Sequence, residues 1–353
     1  MACVYLYLMA GSRVLLLFLD GVGLGPEDPT VNPLARASLP GFHHLTGGPL
    51  VAEAAWRPGL AANAAGGTLL ALDATLGVGG TPQSGTGQYS LLTGRNGPEQ
   101  FGRHYGPYVP TALRSTVQTN SLLALASRAG RSVAFANAYP EELFGERPEV
   151  PLPHVPRSRF PRRHNAPGHN APGHNAPPHE AVRLHGPLRA GPPLAALGAD
   201  VLTRHTEALR TGDAVASEIV NTGWQERLLR DLPDITPRHA GQNLARIVAA
   251  HDLTLFAHYS TDTAGHLQDM EAAVAAIELV DEFLGGLFDV LPPDTTVVIA
   301  SDHGNLEDVR TGHTLNPALC IVTGPGRERI VPKLFSLMDV APSVLELLSG
   351  RAH

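Results

Sequence analysis

Apolar residues along this chain fall into short unbroken runs, separated by longer stretches in which they recur three or four apart. The runs Val14–Leu19, Ser132–Ala136, Leu253–Ala257, Thr296–Ala300 and Ala318–Val322 predict strands buried on both faces, because a half-exposed strand alternates instead. Ala272–Leu291 repeats Ala, Val, Ile, Leu and Phe at three- and four-residue steps with Glu and Asp between them, which predicts a long amphipathic helix. Asn120–Ala129 and Met338–Leu348 predict shorter helices. Strands alternating with helices imply an α/β layer fold with a mainly parallel sheet. Sites in such sheets form at the carboxyl ends of the strands, and Asp20 and Asp302 both stand there.

The middle of the chain breaks this pattern. Residues 147–193 are dense in Pro, Arg and His and hold the tandem repeat His164-Asn-Ala-Pro-Gly, His169-Asn-Ala-Pro-Gly, His174-Asn-Ala-Pro-Pro. Pro and Gly at this frequency interrupt helices and strands alike, which predicts a flexible surface loop. Expansion of a tolerated loop accounts for the repeat. A metal-holding histidine tract would account for it too, and would make the chain a metal-storage protein.

The chain has 353 residues, 43% of them hydrophobic, enough for a full core plus an insertion. A formal net charge of −7 argues against general nucleic-acid binding, which needs a basic footprint. Two cysteines, Cys3 and Cys320, supply neither a disulfide framework nor a zinc–cysteine spacing, and a reducing cytoplasm is the expected compartment. The apolar N-terminus lacks the basic region of a signal peptide. The run ending in Asp20 is too short to span a bilayer. Residues 1–12 read as an N-terminal extension, with Met9 an alternative start to Met1.

Chemistry concentrates in four separated segments. Asp20 ends the first strand. Ser84-Gly-Thr-Gly-Gln88 sets a serine in a Gly-rich turn before helix-like Gln88–Leu92. Asp262 and His266 are four residues apart and share a face if helical. Asp302 and His303 follow the fourth strand, and His313 comes soon after. Taken singly, each is an ordinary turn or cap. Together they supply carboxylates, imidazoles and one hydroxyl, as two divalent cations holding a phosphate require. A serine hydroxyl becomes a competent nucleophile when a cation lowers its pKa. Thr86 is the internal rival to Ser84 for that role.

The order of these segments resembles the alkaline phosphatase superfamily, in its cofactor-independent phosphoglycerate mutase and phosphopentomutase branch. Leu17-Phe-Leu-Asp20-Gly21-Val-Gly23 is similar to the opening ligand strand of those mutases. Gln83-Ser84-Gly-Thr-Gly87 through Gly94-Arg95 is similar to their nucleophile segment. Asp262-Thr-Ala-Gly-His266 with the helix after it, and Ser301-Asp302-His303-Gly304-Asn305-Leu-Glu307 with Gly312-His313-Thr-Leu-Asn316-Pro317, are similar to their remaining ligand segments. The resemblance covers roughly residues 13–100 and 240–348. It implies a three-layer alkaline-phosphatase-like α/β core from residues 13–100 and 236–350, with a short inserted cap segment at 101–235. It also implies two divalent ions, manganese ranked before zinc. Asp262, His266 and His313 would hold one; Asp20, Ser84, Asp302 and His303 would hold the other. Ser84 would carry the phosphoryl group of a small phosphorylated substrate, with mutase and phosphohydrolase outcomes both open. The chain departs from the mutases in having Gln88 where they often have His. Its insertion is also much shorter, and their substrate-binding arginines do not map onto it. Arg95, Arg103 and His104 are the nearby candidates for substrate anions. A member of the superfamily that keeps the fold without catalysis is the remaining alternative.

Overall fold

The computed structural model describes residues 13–56, 66–144 and 186–349. The histidine repeat, most of the predicted 147–193 loop and the N-terminal extension lie outside the described residues. Six strands form one sheet: β1 Arg13–Leu19, β2 Gly67–Leu72, β3 Val133–Phe135, β4 Leu253–His258, β5 Thr295–Ser301 and β6 Ala318–Thr323. Their order is β2-β6-β5-β1-β4-β3. β1 pairs in parallel with both β4 and β5, and β3 pairs in parallel with β4. β6 runs antiparallel to its neighbours β5 and β2. Five predicted strands match observed ones to within two residues at each end. β2 was not foreseen, because Gly67-Thr-Leu-Leu-Ala-Leu72 is short and follows a Gly- and Ala-rich stretch.

The principal helices are α1 Ser84–Thr93, α2 Thr111–Asn120, α3 Leu122–Arg128, α4 Gly191–Gly198, α5 Pro237–Ala249, α6 Ser260–Leu267, α7 Met270–Val290 and α8 Val340–Leu348. The pleat of β1 sends alternate side chains to opposite faces. Leu15, Leu17 and Leu19 pack with Leu244 and Val248 of α5 and Ile277, Phe283 and Leu284 of α7. Val14, Leu16 and Phe18 pack with Tyr89 and Leu92 of α1, Leu122 of α3, Leu194 of α4 and Val344 of α8. Both faces of the sheet are therefore covered, which explains the unbroken apolar runs and gives a three-layer α/β core. Within 101–235, β3 joins the edge of the sheet beside β4, and α2, α3 and α4 pack on one of its faces.

Register positions the chemistry. Leu19 of β1 is level with Ser301 of β5 and with His258 of β4. Asp20 and Asp302 therefore leave the sheet side by side. Two residues past β4, α6 begins and carries Asp262 in its first turn. Among the described residues, no helix is long and apolar enough to cross a membrane.

Candidate metal centre

One nitrogen and three oxygens converge at the end of β1 and β5. His303 Nε2 lies 2.9 Å from Ser84 Oγ, 3.4 Å from Asp20 Oδ1 and 3.7 Å from Asp302 Oδ1. Ligand bonds of about 2.0–2.2 Å place neighbouring donors about 3–3.5 Å apart around one ion, so the spacing of these atoms fits a divalent cation. Asp302 and His303 are fully buried, and Asp20 is 6% exposed. Asp20 Oδ1 and Asp302 Oδ2 have no hydrogen-bond partner. Burial pushes the Asp20 carboxyl well above the usual carboxylate range, and the charge of Asp302 adds to it. Burial also raises Asp302, against the opposing pull of His303. For His303, burial favours the neutral ring, but Asp302, Asp20 and Asp262 outweigh it and raise its pKa to about 10. Two acids that resist ionising beside an imidazole that resists neutrality make up a pocket short of positive charge.

The second cluster is wetter and already hydrogen-bonded. Asp262 Oδ2 is 3.3 Å from His266 Nε2, and Asp262 Oδ1 is 3.5 Å from His313 Nε2. The two imidazole Nε2 atoms are 3.1 Å apart. His313 stacks on His303 with ring centroids 4.0 Å apart, and its Nδ1 faces the Pro82 carbonyl at 2.9 Å. Burial would raise Asp262, but the hydrogen bonds to His266 and His313 hold it well below the ordinary carboxylate range. Asp262 in turn raises His266, whose side chain is half exposed. Asp262, His303 and His313 offer ligand atoms within 4.8 Å of one another, and so do Asp20, Asp302 and His303. His303 thus stands between the clusters. The metal partition implied by the resemblance assigns it to one side only.

Ser84 is the first residue of α1, after extended Gln83. The expected Gly-rich turn is instead the first turn of the helix itself. Its glycines serve close approach: a Cβ on Gly85 would lie 2.1 Å from the Tyr108 carbonyl oxygen, and one on Gly87 would lie 2.8 Å from that of Asp302. Packing this tight brings Ser84 to His303 and aims the positive end of the α1 dipole at the cluster. Thr86 is committed elsewhere, its hydroxyl accepting from Tyr105 N at 3.1 Å. Gln88 reaches in from one turn further on, donating to Asp20 Oδ2 at 3.0 Å. Gly21 has φ +67°, and a Cβ there would strike Asp262 Oδ1 at 2.5 Å; it also donates its N–H to Asp302 Oδ1.

The three substrate candidates separate. Arg103 and His104 line a recess of about 410 Å³ with Gly80, Thr81 and Gln83, next to Ser84. Arg95 lies exposed beyond the far end of α1, about 14 Å along the helix from Ser84 at 1.5 Å per residue.

Two supporting residues escaped the reading of the sequence. Asn305 donates to Asp262 Oδ1 at 2.7 Å and to the Asp262 carbonyl at 3.1 Å. Glu307 is fully buried and accepts from Gly23 N at 2.9 Å, Asn305 N at 2.8 Å and Asn316 Nδ2 at 3.1 Å, as well as from the Thr314 hydroxyl. One carboxylate so ties the loop after β1 to both the start and the His313 end of the loop between β5 and β6. The sequence held a signal for it: Gly23 and Gly304 are the positions where a Cβ would collide with this carboxylate, both at under 2.5 Å.

Known proteins match this arrangement in two ways. A sequence profile described as the Metalloenzyme superfamily matches residues 233–351. The 2,3-bisphosphoglycerate-independent phosphoglycerate mutase of Desulforudis audaxviator is 32% identical over 124 residues, 33% of this chain and 24% of that protein. The corresponding mutase 2 of Methanosarcina barkeri is 38% identical over 107 residues, 28% of this chain and 20% of its own length. The matched stretch is thus about a quarter or less of those relatives. Among solved structures, the PH0037 protein from Pyrococcus horikoshii superposes with a TM-score of 0.54 at 13% identity, covering 97% of this chain and 98% of that one. Over its C-terminal third the chain is thus similar to the Metalloenzyme superfamily and to part of the 2,3-bisphosphoglycerate-independent phosphoglycerate mutases, and its fold as a whole is similar to that of the PH0037 protein.

Proposed function

We propose that the chain transfers the phosphoryl group of a small phosphomonoester to Ser84, with Asp20, Ser84, Asp302 and His303 holding one divalent ion and Asp262, His266 and His313 the other. The observation that carries this reading is the 2.9 Å approach of Ser84 Oγ to His303 Nε2 between two buried aspartates with orphaned oxygens. The ions, manganese in first place and zinc in second, would polarise the phosphate and lower the pKa of the hydroxyl. The protein supplies position. The start of α1 fixes Ser84 Oγ and favours an anion in front of it. Asn305 and Glu307 hold the ligand loops in register, and Gln88 orients Asp20. Arg103 and His104, in the recess next to Ser84, stand where they would meet oxygens of the substrate phosphate. As the Oγ–P bond forms, the P–O bond to the leaving alcohol breaks and that alcohol takes up a proton. Water then cleaves the phosphoserine, releasing phosphate and restoring the Ser84 hydroxyl.

Hydrolysis is favoured over mutase chemistry by the exposure of His266, half of whose side chain meets solvent. A mutase must exclude water while the phosphoenzyme waits for a second hydroxyl. Ser84→Ala in the manganese-loaded protein tests the proposal. Turnover of phosphomonoesters and incorporation of labelled phosphate into protein should both fall at least ~1000-fold, as for loss of a nucleophile, with metal content unchanged. Turnover near that of the parent protein would remove Ser84 from the mechanism. Release of free phosphate, measured beside isomerised product, separates hydrolase from mutase.

A further inference from the structure

A cavity of about 620 Å³ lies beside the centre and takes no part in the chemistry above. Its wall is mainly hydrocarbon and aromatic: Tyr139, Leu143, Trp224, Leu228, Tyr259 and Thr263. Thr263 follows the ligand Asp262 directly and sits three residues before His266 on α6. Residues three apart on a helix are surface neighbours, and Thr263 and His266 are both exposed. The rim of the cavity is therefore continuous with the open side of the metal centre. The volume falls within the range of small-molecule sites.

The charges in the wall are spent on one another. Arg227 is ion-paired with Glu218, and Arg230 with Glu142, all four being wall residues. A second anionic group on the substrate, such as the carboxylate of a sugar acid, would find no uncommitted cation among them. Two buried polar atoms of the wall lack a hydrogen-bond partner, the Tyr259 hydroxyl and Nε of the ion-paired Arg230. At the mouth, Leu229 is 77% exposed with φ 52°. An apolar side chain is thus held in solvent by a backbone conformation that costs energy for a leucine.

We propose that this cavity receives the organic part of the substrate, and that the substrate is a phosphomonoester of an apolar alcohol. The inference rests on the phosphomonoester reading above and narrows it to a substrate class. Phosphate would lie between the two metal clusters, and the hydrocarbon would extend past Thr263 towards Trp224.

Hexyl phosphate and ethyl phosphate have leaving groups of nearly equal acidity, so their ratio of kcat/KM isolates the binding of four methylenes. At about 0.8 kcal/mol per buried methylene, incomplete burial leaves an expected preference of about 10–100-fold for the hexyl ester. Trp224→Ala and, independently, Leu229→Asp should reduce that ratio below about threefold. Leu229→Asp is the safer variant for folding, because the residue is exposed and Asp tolerates its backbone conformation. A second readout needs no turnover: calorimetric titration of the metal-free protein with hexylphosphonate and ethylphosphonate. Tighter binding of the hexyl compound, lost in Leu229→Asp, supports the proposal. A hexyl-to-ethyl ratio within threefold, in the presence of Ser84-dependent turnover, overturns the cavity assignment and leaves the phosphoryl-transfer reading standing. Absence of Ser84-dependent turnover with either ester overturns that reading instead. The cavity is then judged by the phosphonates, and equal affinity for the two rejects it.

Discussion

Asp20 and Asp302 leave the ends of two central strands almost without solvent, each with one oxygen unpartnered. Asp262 sits on a helix, with His266, His313 and Asn305 already at its oxygens. The two halves of the centre meet one electrostatic problem in opposite ways. The exposed half supplies its own hydrogen-bonding partners and stays ionised. The buried half carries carboxyls driven upward by burial and lacks a compensating charge beyond His303. Burial of an ionised group costs several kcal/mol, while each fully buried Leu or Phe contributes roughly 1.5–3 kcal/mol. The six apolar residues of β1 and the matching run of β5 are enough to hold such a pair in place. Binding a cation in the buried half should therefore stabilise the fold. In the exposed half it should mainly replace protons.

Asp302→Asn is the strongest way to break this comparison. Asn keeps the oxygen that accepts from Gly21 N and removes the buried charge. Bound metal should fall by about one ion per chain and turnover by about 10³-fold, the loss of several kcal/mol of charge stabilisation. The metal-free variant should nevertheless melt a few degrees above the metal-free parent. Unchanged metal stoichiometry, or a lower metal-free Tm, would show that the buried pair is not a charge-deficient metal site.

His266→Ala probes the exposed half. Asp262, His303 and His313 still converge without it, so metal affinity should weaken by only about 10–100-fold. Excess metal should restore most of the activity. Thermal stability should move little, as for a surface substitution. A loss as deep as that of Asp302→Asn, irreversible by metal, would erase the distinction between the halves.

The sequence revealed the buried half more readily than its supports. Asp20 and Asp302 were legible because each ends an unbroken apolar run, and a parallel sheet lines such ends up. Asp262 and His266 were legible from helical spacing. The nucleophile segment was read as a turn, since Gly85 and Gly87 disfavour helix; only the close backbones of Tyr108 and Asp302 explain why glycine is needed inside one. β2 escaped because its strand signal is brief, and Glu307 because the glycines that mark it, Gly23 and Gly304, show their purpose only once the loops after β1 and β5 are brought together. The cavity beside α6 was not legible either. Its walls come from segments more than a hundred residues apart, none with a motif of its own.

Asn305→Ala sharpens the comparison at smaller scale. It removes the donor to Asp262 Oδ1 while every proposed ligand stays in place. Metal affinity should fall roughly tenfold, in the range for loss of a group that orients a ligand. Asn305→Asp, which sets a like charge against Asp262, should fall further. Equal behaviour of the two variants would mean that Asn305 only fills space.

The smallest effect, and the one that addresses both halves at once, is the pH dependence of the metal-free protein. His303 has a folded pKa of about 10 against about 6.5 when unfolded. Its contribution is complete below the unfolded value and is lost as pH rises through the folded one. Asp20 and Asp302 are also raised, so their contribution likewise fades as pH climbs above the ordinary carboxylate range. Asp262 is lowered; its contribution is present above that range and is lost only in strong acid. The buried half therefore carries most of the metal-free protein's loss of stability toward alkali; in the exposed half only His266, raised by Asp262 and half exposed, adds to it. Tm measured in chelator should decline between pH 6.5 and 10. Saturating manganese should flatten that decline, because the cation takes over the charge balance that protons supplied. Asp302→Asn should show a shallower slope in chelator than the parent, and His266→Ala nearly the parent's slope. Parallel curves with and without metal would mean that the buried carboxyls are not where the ion's stabilisation arises.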